Sequence, residues 1–289
     1  MRYNDKISIL MPVYKEPINF IKESLNSIKH QTYDNIEILV GVDDPTNREA
    51  IDFLNSISNE NNKIKIFVNE HNIGLAENLN GLLNQAKGKY VARMDADDVA
   101  DSSRLEKQLD FLNYYHLDFV SGAYDSIDEN GYTTKVVKKK NLLNKDVRII
   151  EKYGNILTHP LWLVSKDIML NLKYRRVEPV EDYDLIARAI LDNNIKFGFM
   201  GQPLLKYRVR NKSESHKNPA QSLLMTNYIS NSIKRKLFPN ISILNNLKKL
   251  NVGYSKHLKL CRMTHLLRYK IVSLYINNKV NKIEQANNK

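Results

Sequence analysis

Four apolar runs, Ile7–Met11, Ile36–Val42, Ile64–Val68 and Tyr90–Met94, recur about every 25 residues along the first third of the chain. Between them lie segments with apolar residues at helical spacing: Ile18, Ile21, Leu25 and Ile28, then Ala50, Ile51, Leu54 and Ile57, then Leu75, Leu79, Leu82, Leu83 and Ala86. The runs are continuous rather than alternating, so each strand is covered on both faces. That pattern predicts an α/β fold with a mostly parallel central sheet and helices on both faces. Pro12 is expected to end the first strand, and Gly88 to stop the third helix. Ligands of such sheets collect beyond the carboxyl ends of the strands, at a switch in strand order. Tyr14, Asp43-Asp44, Asn72-Ile73-Gly74 and Asp95-Ala96-Asp97-Asp98 all fall at those ends.

Farther along, the pattern predicts a helix over 103–113, a strand over 119–124 and a turn at Asp128–Gly131. Helices over 144–153 and 166–171 follow. A second acidic cluster, Glu178 to Asp184, runs into a helix with Leu185, Ile186, Ala189 and Ile190 on one face. Ile195–Phe199 is a late strand, and Leu204–Arg210 leads out of it.

The acids after Tyr90–Met94 pose the chemical question. Three carboxylates in four residues at a strand end repel one another and are rarely buried without a partner. One reading is a divalent cation held by oxygen ligands, Mg²⁺ or Mn²⁺, which usually brings phosphates with it. The other is that Asp98 and Asp101 only open the helix that follows. Asp43-Asp44 before Pro45 has a similar pair of readings, ligand contact or an Asx turn. Glu181-Asp182 is either chemical or a pair of acids favoured at a helix N-terminus. His159 before Pro160 is a site residue or a hydrogen-bonded structural histidine, and Trp162 reads as core.

In order, these pieces resemble family 2 glycosyltransferases, the inverting enzymes with the GT-A (Rossmann-like) fold. The matching residues are Ser8-Ile9-Leu10-Met11-Pro12-Val13-Tyr14, Asp43-Asp44, Asn72-Ile73-Gly74-Leu75, Asn80-Gly81-Leu82 and Ala86-Lys87-Gly88-Lys89-Tyr90. Asp95-Ala96-Asp97-Asp98, His159-Pro160, Glu181-Asp182-Tyr183-Asp184-Leu185 and Tyr207-Arg208 complete the series, over roughly residues 6–216. The resemblance implies that Pro12, Tyr14, Asp43 and Asp44 hold a nucleotide base, with Asn72 and Gly74 in the same donor site. A carboxylate accepting the imide N–H of uracil favours a UDP-sugar. Asp95 would lie near the ribose or the metal, and Asp97 would bind Mn²⁺ or Mg²⁺ on the diphosphate. Asp182 would be the general base that takes the proton from the acceptor hydroxyl. Glu181 and His159 would lie beside the acceptor. The chain departs from its relatives at Asp44-Pro45-Thr46, where most have Asp-Asp-Gly-Ser. It also has Arg210 where many place a histidine; Arg208 and Arg210 would then clamp the diphosphate, with His216 a weak substitute ligand. The Gln/Arg-x-x-Arg-Trp signature of processive synthases is absent, which points to addition of a single sugar.

Charge divides the chain. Residues 1–216 hold 30 Lys and Arg against 31 Asp and Glu, a net −1, whereas 217–289 hold 14 against one, a net +13. The split predicts a catalytic domain over 1–216 and a basic helical region over 217–289. Apolar residues at helical spacing, Leu224, Tyr228, Ile229, Ile233 and Leu237, precede Lys234-Arg235-Lys236, and the style continues from Leu247 to Tyr275. Two readings stay open, peripheral contact with an anionic membrane or a helical subdomain packed on the core. Nucleic acid is disfavoured, because no nucleic-acid module is recognisable. A lone cysteine, Cys261, no signal-peptide layout and no apolar run of bilayer length set the expectation of a cytoplasmic protein on the inner face of the cell membrane. The acceptor implied is a glycan or lipid-linked glycan for a bacterial surface polysaccharide. The rivals are nucleotidyl transfer on a related sheet, and a non-catalytic module anchored by the basic tail.

Overall fold

The structure, a computed structural model, describes residues 4–210 and 219–249. β1 (Ile7–Val13), β2 (Ile36–Val42), β3 (Ile64–Val68) and β4 (Tyr90–Arg93) are parallel, in the order β3-β2-β1-β4. The chain builds outward from β1 to β3, then returns to place β4 on the other side of β1. That reversal opens a crevice beyond the ends of β1 and β4. Alternate residues face opposite layers, as the pleat requires. Leu10, Leu39 and Val91 pack with Leu79, Leu82 and Leu83 of α3 (Leu75–Gln85). Ile7, Ile9, Met11, Ile38 and Val40 pack with α1 (Ile18–Lys29) and α2 (Arg48–Glu60) through Ile21, Leu25 and Leu54.

Beyond β4 come β5 (Val99–Ala100), α4 (Arg104–Tyr114), β6 (Phe119–Ile127), β7 (Thr133–Lys135), β8 (Leu142–Leu143) and α5 (Asn144–Ile150). A single 3-10 turn, His159–Leu161, precedes β9 (Leu163–Ser165), α6 (Lys166–Leu172), α7 (Glu181–Leu191) and β10 (Phe197–Arg208). The sheet continues β4-β9-β6-β10-β5; β6 and β10 are parallel, while short β9 runs antiparallel to both β4 and β6. α8 (Pro219–Lys234) buries Met225, Ile229 and Ile233 in the core that also holds Leu185, Ile186 and Ala189 of α7. α9 (Ile241–Lys249) adds Leu244. The 216/217 boundary and residues 250–289, including Lys256 to Lys270, lie outside the described residues.

Three elements differ from expectation. Pro12 lies inside β1, opposite Gly41, and does not end it. Leu10 and Pro12 face the β4 side, where the ladder closes at Leu10–Arg93 and the amide of Met94 donates to the carbonyl of Leu10. The missing N–H of Pro12 therefore costs no ladder bond. The two segments around Phe199 and Tyr207 are one strand, with register shifts against β6 at Met200–Pro203 and Pro203–Lys206. These irregularities let a twelve-residue strand cross Gly201-Gln202-Pro203.

Gly88 is needed for close approach rather than as a helix stop, since α3 ends at Gln85. Its amide donates to Ser8 Oγ at 2.8 Å, the Ser8 hydroxyl donates to Glu37 at 2.8 Å, and the amide of Lys87 donates to the same Glu37 oxygen at 2.7 Å. A Cβ at position 88 would lie 2.6 Å from the Lys6 carbonyl and 2.7 Å from the Ser8 amide. Both neighbours are backbone and cannot yield without moving β1. Gly88→Ala is expected to destabilise the fold by about 1–3 kcal/mol, read as a lower urea midpoint with an unchanged slope; an unchanged midpoint would contradict this packing.

Candidate active site

The strand ends build the crevice by hydrogen-bonding one loop to the next. Asp43, buried at the end of β2, accepts from the amides of Ile73 and Gly74, both at 2.9 Å, and from the Asn69 side chain at 2.8 Å. Asn72 accepts from the Gly74 amide at 3.1 Å. Gly74 caps α3 at φ +88°, a conformation that an L side chain would strain. Asp43, Asn72 and Gly74 thus form one motif. Asp44 closes an Asx-type turn, accepting from the Thr46 amide at 3.0 Å and its hydroxyl at 2.6 Å, bonds that hold its carboxyl below the usual range. Tyr14, after β1, donates its amide to Glu16 at 2.7 Å, and Lys15 lies over its ring.

After β4, one ligand oxygen from each of Asp95, Asp97 and Asp98 lies within 4.8 Å of the others. Asp98 is wholly buried and opens no helix. It accepts from the Arg208 amide at 2.8 Å, and its other oxygen has no hydrogen-bond partner. Burial and the neighbouring acids push Asp98 well above the ordinary carboxylate range, and Asp97 upward as well. Arginines surround the cluster. Arg93, 4% exposed, ion-pairs with Asp95, and Arg210 reaches Asp97 at 3.0 Å. Arg208 donates to the carbonyl of Asp97 at 2.8 Å, ion-pairs with Glu23 and sits over the Phe20 ring at 4.2 Å. Arg104, fully buried, donates to the Arg93 carbonyl at 2.7 Å and to Gln108 at 3.0 Å; burial lowers it to about 9. The set fits a divalent cation in its hard oxygen donors and its unpartnered Asp98 oxygen.

α7 supplies a second wall, near enough for Arg93 and Asp95 to act on its Asp182. Asp182, partly exposed in its first turn, accepts from Asn155 at 2.9 Å. Burial pushes its carboxyl up to about 6, against the pull of the Tyr183 amide and Arg93. Burial and Asp182 raise Glu181 to about 8, and one of its oxygens has no hydrogen-bond partner. Burial and the mutual repulsion of the two acids therefore raise the pair as a unit above the ordinary carboxylate range. His159 meets the Tyr174 hydroxyl at 2.8 Å and packs on Trp162, while burial and Arg93 hold it well below its usual range. Tyr174 is fixed by a double amide exchange with Asn80, both bonds 2.9 Å, which explains the Asn80-Gly81-Leu82 signal.

The two walls share one electrostatic field. Arg93 and Asp95 both act on Asp182, and Arg93 also acts on Glu181, His159 and Tyr174. A separate cleft of about 320 Å³ beside β6, lined by Tyr124, Ser126, Thr158, Lys135, Lys138 and Lys139 among others, holds none of these acids. His216 falls outside the described residues.

Residues 8–169 match the family described as "Glycosyl transferase family 2". The chain belongs to that family. An uncharacterized glycosyltransferase of Methanocaldococcus jannaschii is 32% identical over 80% of this chain and 76% of its own length. The Escherichia coli O-antigen biosynthesis glycosyltransferase WbnJ is 32% identical over 74% and 83%. A 29% identical E. coli relative, covering 72% and 79%, is named UDP-Glc:alpha-D-GlcNAc-diphosphoundecaprenol beta-1,3-glucosyltransferase. In fold, the chain resembles S. aureus TarS 1-349 in complex with UDP-GlcNAc, at TM-score 0.63 and 17% identity over 84% of this chain and 70% of that one. The fold is therefore GT-A, and membership in this family of transferases selects glycosyl transfer over the nucleotidyl-transfer and scaffolding readings.

Pattern alone assigned no role to Arg93, Arg104, Glu16, Glu151, Asn155 or Tyr174. The one available signal was a charged residue inside an apolar strand, Val91-Ala92-Arg93-Met94, which has to be paired if buried. Arg93→Met removes a cation that stabilises ionised Asp182. A carboxyl-carbon NMR titration is expected to place the Asp182 midpoint at higher pH than in the native chain. An unmoved midpoint would mean that the two walls do not share the field.

Proposed function

We propose that this glycosyltransferase moves one sugar, with inversion, from a UDP-sugar to a hydroxyl of a glycan or lipid-linked glycan in surface-polysaccharide assembly. Asp182 is the general base. The observation that carries the reading is Asp182 itself, a partly exposed carboxylate in the first turn of α7 on which both Arg93 and Asp95 act. The donor reading is supported by a UDP-GlcNAc complex among the structural neighbours and by a relative named for UDP-Glc.

Pro12, Tyr14, Asp43 and Asp44 face the nucleotide, with Asn72 and Gly74 shaping the loop against which it lies. Asp43 keeps lone-pair capacity beyond its three bonds to its own loop and accepts the uracil imide N–H. Arg208 and Arg210 flank the diphosphate. Asp97, with Asp95 and Asp98, would hold Mn²⁺ or Mg²⁺, which supplies Lewis-acid neutralisation of the leaving diphosphate. Glu181 and His159 border the acceptor. The acceptor hydroxyl gives its proton to Asp182 as its oxygen attacks the anomeric carbon, the bond to the UDP oxygen breaks, and UDP leaves. A single displacement forms no covalent sugar–enzyme intermediate. For a lipid-linked acceptor the work is done at the inner face of the cell membrane; among the described residues no helix is long and apolar enough to cross it.

Asp182→Asn is expected to cut sugar transfer at least about a thousandfold while UDP affinity changes less than about twofold; a fully active variant would remove the base. In the native enzyme the base must be ionised, so kcat/KM is expected to rise about tenfold per pH unit below about 6 and to level above it. Asp97→Ala is expected to weaken Mn²⁺-dependent UDP binding at least about tenfold by calorimetry. Equal affinity with and without the substitution would remove the ligand.

A further inference from the structure

The turn between α8 and α9 carries a surface that none of the catalytic groups uses. α8 ends at Lys234, Arg235 and Lys236 follow it in a turn, and the chain coils off through bonds from the amides of Lys236 to Ile233 and Leu237 to Ser232. Lys236 sits at φ +57°. Leu237 and Phe238 then stand 58% and 65% exposed, and Ile241 and Ile243 on the first turn of α9 are 39% and 43% exposed. A lone exposed leucine is ordinary, but four large apolar side chains within seven residues form a patch.

The backbone beneath the patch is held. The Asn240 amide donates to the Tyr228 hydroxyl at 3.0 Å, and Arg175 donates to the Pro239 carbonyl at 2.9 Å. Asn240 caps α9, accepting from Ser242 at 2.9 Å and Ile243 at 3.3 Å, and Leu244 is wholly buried behind it. The apolar side chains are presented outward by a fixed turn. Its rim is cationic: Arg235 and Lys236 are exposed, Lys234 lies over the Tyr153 ring at 4.7 Å, and residues 219–249 contain no acid.

We propose that this turn is a membrane-docking tip, whose apolar side chains enter the headgroup boundary of a bilayer while the basic rim meets anionic lipid. Apolar insertion joined to cationic contact is the combination that interfacial binding requires. Charge complementarity selects this occupant. A second copy of the chain would set the same basic rim against itself, at a cost in repulsion. The tip is also linked to the catalytic helix: Arg175, bound to Pro239, ion-pairs with Asp184, two residues past Asp182 on α7. Docking the tip therefore fixes where the crevice stands relative to the lipid surface. This last step rests on the lipid-linked acceptor reading; the docking does not.

The test uses the full chain and vesicles of phosphatidylcholine with and without phosphatidylglycerol. Native protein is expected to sediment with the phosphatidylglycerol vesicles, less in high salt and much less with phosphatidylcholine alone. Leu237→Ser/Phe238→Ser is expected to weaken that binding about tenfold or more, with donor hydrolysis and melting temperature in vesicle-free buffer unchanged. Phe238→Trp adds an exposed indole to a chain whose one tryptophan, Trp162, is 1% exposed. Its emission is expected to shift to the blue on phosphatidylglycerol vesicles. Native affinity in the double variant, equal binding to both vesicle types, or an indole unmoved by lipid would each overturn the tip. So would a double variant that dissociates an oligomer while binding vesicles as before, because the patch would then be a protein interface. Loss of donor hydrolysis in native protein without vesicles would count against the catalytic reading and leave the vesicle result standing.

Discussion

A single buried guanidinium holds the two halves of this crevice in one field. Arg93 ends β4, pairs with Asp95 and acts on Asp182, Glu181, His159 and Tyr174. Removing a cation of this kind from water is expensive, and only close anions repay it. The same cation pulls Asp182 down while burial pushes it up, so the carboxyl comes to rest at about 6. Burial and the charge of Asp182 raise its helix neighbour Glu181 as well.

The acids at the end of β4 have a comparable balance. Three carboxylates so close would repel strongly, and the fold answers with arginines from β4, α4 and the end of β10. Arg208 is the most constrained of them. Its backbone amide holds Asp98, its side chain holds the carbonyl of Asp97 and pairs with Glu23, and its plane covers Phe20. Lysine could not make all these contacts with one ammonium group. Arg210 is different: it is bound to one oxygen of Asp97 and partly exposed, so it is held by fewer contacts than Arg208.

Much of this was legible from residues 7–94, where continuous apolar runs and helical spacing mark β1 to β4 and α1 to α3 almost to the residue. The signal is strong there because parallel strands buried on both faces leave an uninterrupted apolar imprint. It fails where geometry depends on a neighbour distant in sequence. Whether Pro12 ends a strand depends on where β4 stops, and why position 88 is glycine depends on the backbone of β1. β9 is three residues long, too short for any period to register. The acid clusters were visible, but their division of labour was not. Asp98 is bound to β10, Asp43 to the Asn69–Gly74 loop and Asp44 to its own turn, and only contacts can tell these apart. Arg93 announced itself as a charge in an apolar strand without disclosing its partners.

α7 ties the remaining parts together, and its first turn explains why that helix carries the acidic cluster. Glu181, Asp182 and Asp184 all lie where the helix dipole favours negative charge, so the dipole alone would account for their presence. It does not account for their separate fates. Asp182 turns to the crevice and Asn155. The Tyr183 hydroxyl holds the carbonyl of Glu151, whose buried side chain in turn takes the amides of Ile156 and Leu157, the two residues after Asn155. Asp184, wholly buried, takes Arg175 and Arg188. Successive residues of one helical turn point in different directions, about 100° apart. Consecutive residues of this turn can therefore reach Asn155, the Glu151 loop and the arginine that supports the turn after α8. α8 packs on α7 through Met225, Ile229 and Ile233, and Arg175 joins Pro239 to Asp184, so α8 and the turn after it are set against the helix that carries Asp182. The helix that carries Asp182 is thus also the one that anchors α8 and the turn leading to α9.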